Sequence, residues 1–191
     1  IDALRKAYAF HFAGDQHLAT VFHHGIDEWR DSIYSFCVPS IANLYLRWWK
    51  PLKPGKNLRP GQDPILGDHL DGFHNKVTAI AVANPSAEKG GDKLTTRAAG
   101  FGVTRINKKT RDITFTCWPR NIDVSAKGAK PYPGWPFTFN QIDNYGRKAV
   151  GHLPSLEISK PDQVVQVIEE KSGQVVYTLR TKGQSFQPKV F

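Results

Sequence analysis

Methionine is absent from the 191 residues and cysteine occurs only twice. Cys37 and Cys117 cannot build a disulfide framework, nor the Cys-rich ligand set of a structural zinc site. Each is expected to be a small buried hydrophobe. Long apolar runs are missing too. The longest, residues 77–83, is interrupted by Thr78 and falls far short of the roughly 20 residues a membrane-crossing helix requires. Acidic side chains are the minority charge: 17 Asp and Glu stand against 26 Lys and Arg, for a net charge of +9. No zinc finger, helix-turn-helix or aromatic RNA-binding signature accompanies that charge, so nucleic acid is disfavoured as a partner. The chain opens on Ile1-Asp2-Ala3-Leu4-Arg5-Lys6, which reads as helix rather than as a secretory leader. A start inside a helix, with no methionine, reads as a piece of a longer protein.

What is present is an ordinary globular composition, 40% hydrophobic and 23% charged. Residues 2–9 carry Leu4, Ala7 and Tyr8 at helical spacing. Residues 10–13 predict a short buried strand ending at Gly14, and residues 18–22 a second. Residues 25–31 are polar and turn-like. Residues 33–46 are apolar but carry Pro39, so strand followed by short helix and irregular buried segment both remain open. Residues 47–60 combine two tryptophans, three prolines and five cations, which predicts an extended surface loop. That loop could face a polyanion, or be a solvated connector with its tryptophans tucked inward.

The remainder reads as β. Residues 76–83 suit a buried strand bounded by Asn84-Pro85. Residues 98–106 and 111–118 flank the turn Asn107-Lys108-Lys109-Thr110 and predict a hairpin, with Gly100 and Gly102 marking a bulge or a close backbone approach. Residues 121–151, rich in Pro, Gly and Asn, predict a long connector. A second hairpin is predicted from residues 163–169 and 174–181, with Gly173 at positive φ in its turn.

The chemistry-bearing constellation is Gly14-Asp15-Gln16-His17, directly after a strand. If the backbone stays extended, Asp15 and His17 project to the same side. A carboxylate beside an imidazole suits zinc, iron or manganese, and a strand end opening into a loop is where layered α/β enzymes place ligands. The plain alternative is a capping Asp beside a hydrogen-bonded His. His23, His24, Asp27 and Asp31 follow closely. Asp68-His69-Leu70-Asp71-Gly72-Phe73-His74-Asn75 then sets two acids and two histidines in what reads as a loop. Neither group has the spacing of a helix-borne His-x-x-x-His site or an EF-hand.

Taken in order, Gly14-Asp15-Gln16-His17-Leu18, His24-Gly25-Ile26-Asp27-Glu28-Trp29-Arg30-Asp31 and Phe36-Cys37-Val38-Pro39-Ser40 resemble the C-terminal half of alkaline-phosphatase-D-like metallophosphatases. The likeness continues through Asp71-Gly72-Phe73-His74-Asn75-Lys76, Ala81-Val82-Ala83-Asn84-Pro85, Gly100-Phe101-Gly102-Val103 and Gly134-Trp135-Pro136. It implies an α/β, β-rich chain. Residues 1–150 would be part of a calcineurin-like four-layer sandwich, two β-sheets between helices, and 151–191 a truncated or small Ig-like antiparallel β module. It further implies a phosphoesterase using Zn, Fe, Mn or Ca ions on a phosphorylated small-molecule substrate, in a secreted or periplasmic setting. Asp15 and His17 would be metal ligands and His24 a catalytic group or further ligand, while Arg30 or Arg47 could contact phosphate. Asp15 stands where the wider superfamily has His, which leaves open whether it touches metal or orients His17. Of the superfamily's earlier motifs, Gly-Asn-His-Glu does not occur in the chain, and the strings Asp-x-His and Gly-Asp-x-x-Asp occur only as Asp15-Gln16-His17, already matched to the last motif, and as Gly67-Asp68-His69-Leu70-Asp71, which follows it. The resemblance therefore implies a fragment, inactive without an N-terminal portion of the same protein.

Two other readings compete. One is a non-catalytic, β-rich binding module of a secreted protein, presenting Tyr132, Trp135 and Phe137 to carbohydrate or a partner. The other is polyanion binding by the loop of residues 47–59.

Overall fold

The computed structural model describes residues 1–42, 45, 47–85 and 98–191. A short helix α1 (Asp2–Lys6) leads into strands β1 (His11–Gln16), β2 (Ala19–His24), β3 (Tyr34–Pro39), β4 (Gly67–Leu70) and β5 (Lys76–Ala83). These five form one sheet in the order β1-β3-β2-β5-β4. β1 pairs parallel with β3, and every other pairing in the sheet is antiparallel. Strands β6 (Gly100–Ile106), β7 (Asp112–Pro119) and β8 (Phe137–Asn140) form a second, antiparallel sheet of three. The architecture is thus β-rich. No helix among the described residues is long and apolar enough to cross a membrane.

Alternation drives the two sheets together. In β7, Ile113, Phe115 and Cys117 point one way between Thr114, Thr116 and Trp118, and all three are buried. They meet Ala19 and Val21 of β2, Phe36 of β3 and Ala81 and Ala83 of β5 in one core. Phe36 stacks on Phe115 with ring centroids 4.8 Å apart. The two glycines singled out in β6 are close approaches. A Cβ on Gly102 would stand 2.1 Å from Val38 Cγ1, and one on Gly100 2.0 Å from the Trp118 carbonyl oxygen. Gly102 lets the two sheets close to this distance, while Gly100 lets β6 lie close against its neighbour β7.

Several expectations change. The helix stops at Lys6, because Tyr8 takes a left-handed backbone (φ 49°) and turns into a second core with Tyr145 and Tyr177. Strand β1 is exposed rather than buried along most of its length, since it lies at the sheet's edge. The apolar stretch from residue 33 resolves as strand β3 followed by a turn; its residues 43, 44 and 46 lie outside the described residues. The supposed connector 121–151 contains β8 and a 3-10 helix (Gln141–Tyr145) capped by the Asn140 side chain. Proline and glycine punctuation hid a strand of only four residues.

Beyond residue 150 come three two-stranded pairs: β9 (Gly151–His152) with β14 (Lys189–Val190), β10 (Leu156–Glu157) with β13 (Ser185–Phe186), and β11 (Val164–Ile168) with β12 (Val175–Arg180). Gly173 sits at φ 68° in the β11–β12 turn, as its position predicts. The apolar side of these pairs is completed by the earlier chain: Tyr177 meets Tyr8 edge-on at 5.6 Å, and Phe191 stacks on Tyr145 at 4.0 Å.

Phe115 is fully buried between the sheets and contacts Phe10, Phe36 and Phe139. Phe115→Ala is expected to lower the unfolding free energy by about 3–5 kcal/mol. Urea denaturation followed by tryptophan fluorescence measures this, and a loss below about 1 kcal/mol would contradict the packing described.

Candidate functional site

The register of β1 on β3 decides where its side chains go. His11, Phe12 and Ala13 oppose Ser35, Phe36 and Cys37, but Gln16 then opposes Pro39, so β1 carries one extra residue. Asp15 absorbs the bulge with φ 55°. Aspartate tolerates this left-handed region better than most residues, and such outliers concentrate at functional positions. The unbroken extended backbone that would have set Asp15 and His17 side by side is therefore interrupted at Asp15 itself. Gly14 does not end the strand, which runs on to Gln16. Its missing side chain admits Val38, whose Cγ2 would lie 3.3 Å from an added Cβ.

Asp15 is exposed and His17 half-buried. His17 Nδ1 lies 2.6 Å from the Tyr45 carbonyl oxygen. A carbonyl only accepts, so Nδ1 is the donor in this bond. A backbone carbonyl on one ring nitrogen is how proteins orient a histidine that binds metal through the other.

His24 lies elsewhere. β2 runs antiparallel to β3, so its C-terminal end meets the beginning of β3 and of β1. His24 Nε2 is 2.9 Å from Ser35 Oγ, and Ser35 is opposite His11. His11 and Asp15 are four strand positions apart, about 13 Å at the usual rise per residue. The structure thus separates His24 from Asp15 and His17, at opposite ends of the same strands. Burial, aided by the positive charge of His11 and of the N-terminal amine, drives the His24 imidazole down to about 4, against a raising influence from Asp71. His23, stacked on Tyr34 at 3.9 Å and donating from Nε2 to the Ser32 carbonyl, is also driven down to about 4, chiefly by burial. Both rings are neutral at pH 7.

The acid- and histidine-rich stretch 68–75 proves structural. Asp68 and His69 belong to strand β4, not to a loop. The Asp68 side chain is wholly buried and accepts from Thr78 Oγ1 at 2.6 Å, Asn57 Nδ2 at 2.7 Å and Arg30 Nη2 at 3.0 Å. Asp71 closes the β4–β5 turn, accepting from the backbone amides of Phe73 and Asn75. Arg30, a candidate phosphate contact, is the ion-pair partner of Asp68. Arg47 is exposed. Asp27 and Asp31 bind Arg147, and Asp31 also neutralises the buried Arg5 at 3.7 Å. Arg147 was invisible to motif reading, because its partners lie over a hundred positions away in sequence.

Trp135 is buried in the core, and Tyr132 and Phe137 pack against it half-buried, so no exposed aromatic platform is formed by these three. In the 47–60 loop, Trp49 covers Phe22 and His69 on the outer face of the large sheet, while Trp48 stays exposed under the Lys50 ammonium. Cys117 is buried and its thiol pushed up to about 12 by desolvation; Cys37 is half-buried and also raised by burial.

Among the described residues, no three His, Cys, Asp or Glu side chains converge on a point that could hold a metal ion. Asp15 and His17 have the right donor chemistry but amount to two ligands, and metal sites ordinarily need at least four. No protein-family model, curated protein or solved structure matches the chain.

The two lowered imidazoles set a pH dependence. Unfolding releases them to about 6.5, so the unfolded chain binds more protons between pH 6.5 and pH 4. Their contribution to stability is fully present above pH 6.5 and is lost as the pH falls towards 4, by about 3 kcal/mol per ring. Denaturant midpoints measured across this window should fall steadily, and His24→Gln should flatten the slope. A wild-type profile level from pH 7 to pH 5 would contradict the assignment.

Proposed function

We propose that the chain is the C-terminal part of a metal-dependent phosphoesterase whose remaining ligands come from an N-terminal portion of the same protein. One observation carries the reading: Asp15 and His17 stand where a parallel-paired edge strand opens into a loop, with the His17 imidazole held by the Tyr45 carbonyl. The C-terminal ends of parallel strands are the usual ligand-binding edge of layered α/β sheets. Two facing β-sheets are also compatible with half of a calcineurin-like sandwich.

The outer edge of β1 adds support. Among the described residues nothing pairs with it, and His11-Phe12-Ala13-Gly14-Asp15-Gln16 contains neither lysine nor proline, the residues that usually protect an exposed edge. Phe12 is 51% exposed there, close to Phe36. A further strand laid along β1 would cover Phe12 and bring additional ligands up to Asp15 and His17.

In this reading, the His17 imidazole would help to hold the ion, and the Asp15 carboxylate would do so directly or by orienting His17. A divalent ion held there would supply Lewis-acid polarisation of a phosphoryl oxygen and a water acidic enough to attack at neutral pH. His24 is assigned no part in holding the ion, since it lies towards the opposite end of the strands from Asp15. Its neutral ring and its bond to Ser35 serve the opposite end of the sheet.

The test is hydrolysis of 4-nitrophenyl phosphate by the full-length parent protein with and without Mn or Zn. Activity should depend on the metal. His17→Ala should reduce kcat/KM by at least about a thousandfold, a loss of about 4 kcal/mol in transition-state stabilisation. Wild-type turnover in His17→Ala would remove the assignment.

A further inference from the structure

Away from the Asp15 end of β1, residues 7–10 line a cavity of about 680 Å³, within the range of small-molecule sites. Its floor is apolar: Phe10 and Ile113 come from the main core and Tyr8 from the second. Its rim is cationic. Lys108 projects from the β6–β7 turn, Arg111 follows that turn, and Arg180 ends β12 on the facing wall.

The two arginines are fixed but not neutralised. Arg111 Nη2 donates to the Arg180 carbonyl at 2.6 Å, and Arg180 Nη1 to the Asp162 carbonyl at 2.7 Å. A guanidinium has five N–H donors, so most of each fork is left for another acceptor. No carboxylate among the described residues forms an ion pair with Lys108, Arg111 or Arg180. Asp162 is the one acidic residue in the lining. Asn107 braces the turn, its Oδ1 accepting the Lys109 and Thr110 amides, and an adjoining hollow adds Arg105 and Lys109 together with Asp112, whose carboxylate is taken up by Thr110 Oγ1 and Asn140 Nδ2. Arginines anchored through main-chain carbonyls keep full charge and fixed orientation, which favours an incoming anion at small entropic cost.

We propose that this cavity binds a small organic phosphate, with the phosphate on Arg111, Arg180 and Lys108 and an apolar body against Phe10 and Ile113. Three cations converging from two walls suit a dianion with three acceptor oxygens better than a carboxylate, which one guanidinium fork satisfies. The site lies about 16 Å along β1 from Asp15 and does not depend on the phosphoesterase reading.

The test uses a ligand that cannot be hydrolysed and conditions that silence any metal. 1-Naphthylmethylphosphonate is titrated calorimetrically into the chain in EDTA. Saturable one-to-one binding is expected, at least about tenfold tighter than either inorganic phosphate or 1-naphthol. The Arg111→Gln/Arg180→Gln double variant should weaken it at least about tenfold, as expected when charged hydrogen bonds are lost. Lys108→Gln, on an exposed turn and touching nothing that holds the fold, should weaken it about threefold or more. Equal affinity for the phosphonate and 1-naphthol would overturn the proposal, showing a neutral apolar hollow. Affinity unchanged in Lys108→Gln and in a folded double variant would do the same, placing binding elsewhere.

Discussion

The packing of Phe36 between the two sheets is the contact on which the arrangement turns. Its ring is fully buried and stacked on Phe115, above the place where Gly102 leaves room for it. Because strand side chains alternate with a period of two, a slip of one residue would send Phe36 outward and Ser35 into the core. Fixing Phe36 fixes β3, and β3 is paired on both sides. It sets β2 by antiparallel pairing through Val21 and β1 by parallel pairing through Phe12. The bulge at Asp15 follows, since the extra residue of β1 must be accommodated where β3 ends at Pro39. The candidate metal ligands thus owe their position to an aromatic pair in the core rather than to contacts of their own.

The same pairing creates two chemically unlike ends. At the Asp15 end an exposed carboxylate and a half-buried imidazole stand at a loop mouth. At the other end His23 and His24 are held neutral by burial, and their hydrogen bonds go to Ser32 and Ser35. Close by, Asp31 is pushed up by burial, yet the amides of Ile26, Glu28 and Asp27 and the Arg147 guanidinium together hold its carboxyl below the usual value. That carboxylate in turn compensates Arg5, which is buried beneath the Tyr145 ring. Asp27, Asp31, Arg5 and Arg147 are thus consumed in pairing with one another.

Periodicity carried much of the fold. β5 was legible as an apolar run bounded by Asn84-Pro85 and β7 by its alternating apolar residues, and the two hairpins announced themselves through polar turns between apolar arms. What escaped was whatever depends on distant partners. The exposure of β1 follows from its place at the sheet's edge, which its own apolar residues cannot reveal. β8 is short and lies among prolines and glycines, and only its pairing with β7 makes it a strand. Of the site, the residue types at 14–17 were legible. Their relative orientation was not, because it rests on a left-handed Asp15 and on a carbonyl at Tyr45, 28 residues away. Trp135, a surface aromatic in the competing reading as a binding module, is instead a core residue touching Phe36.

Net charge shows most clearly why composition and site must be argued separately. A surplus of +9 invited a search for one basic stretch, and residues 47–60 were the densest in sequence. In space that loop covers the sheet, with Trp49 on Phe22 and Trp49 Nε1 donating to the Ile65 carbonyl. The cations that do converge, Lys108, Arg111 and Arg180, come from segments some 70 residues apart, joined by the Arg111 bond to the Arg180 carbonyl. Tyr177, which anchors β12 against Tyr8 and Tyr145, brings Arg180 to that wall. The aromatic cluster that completes the C-terminal strands is therefore also what assembles this cationic hollow. A change that loosens Tyr177 should weaken both together.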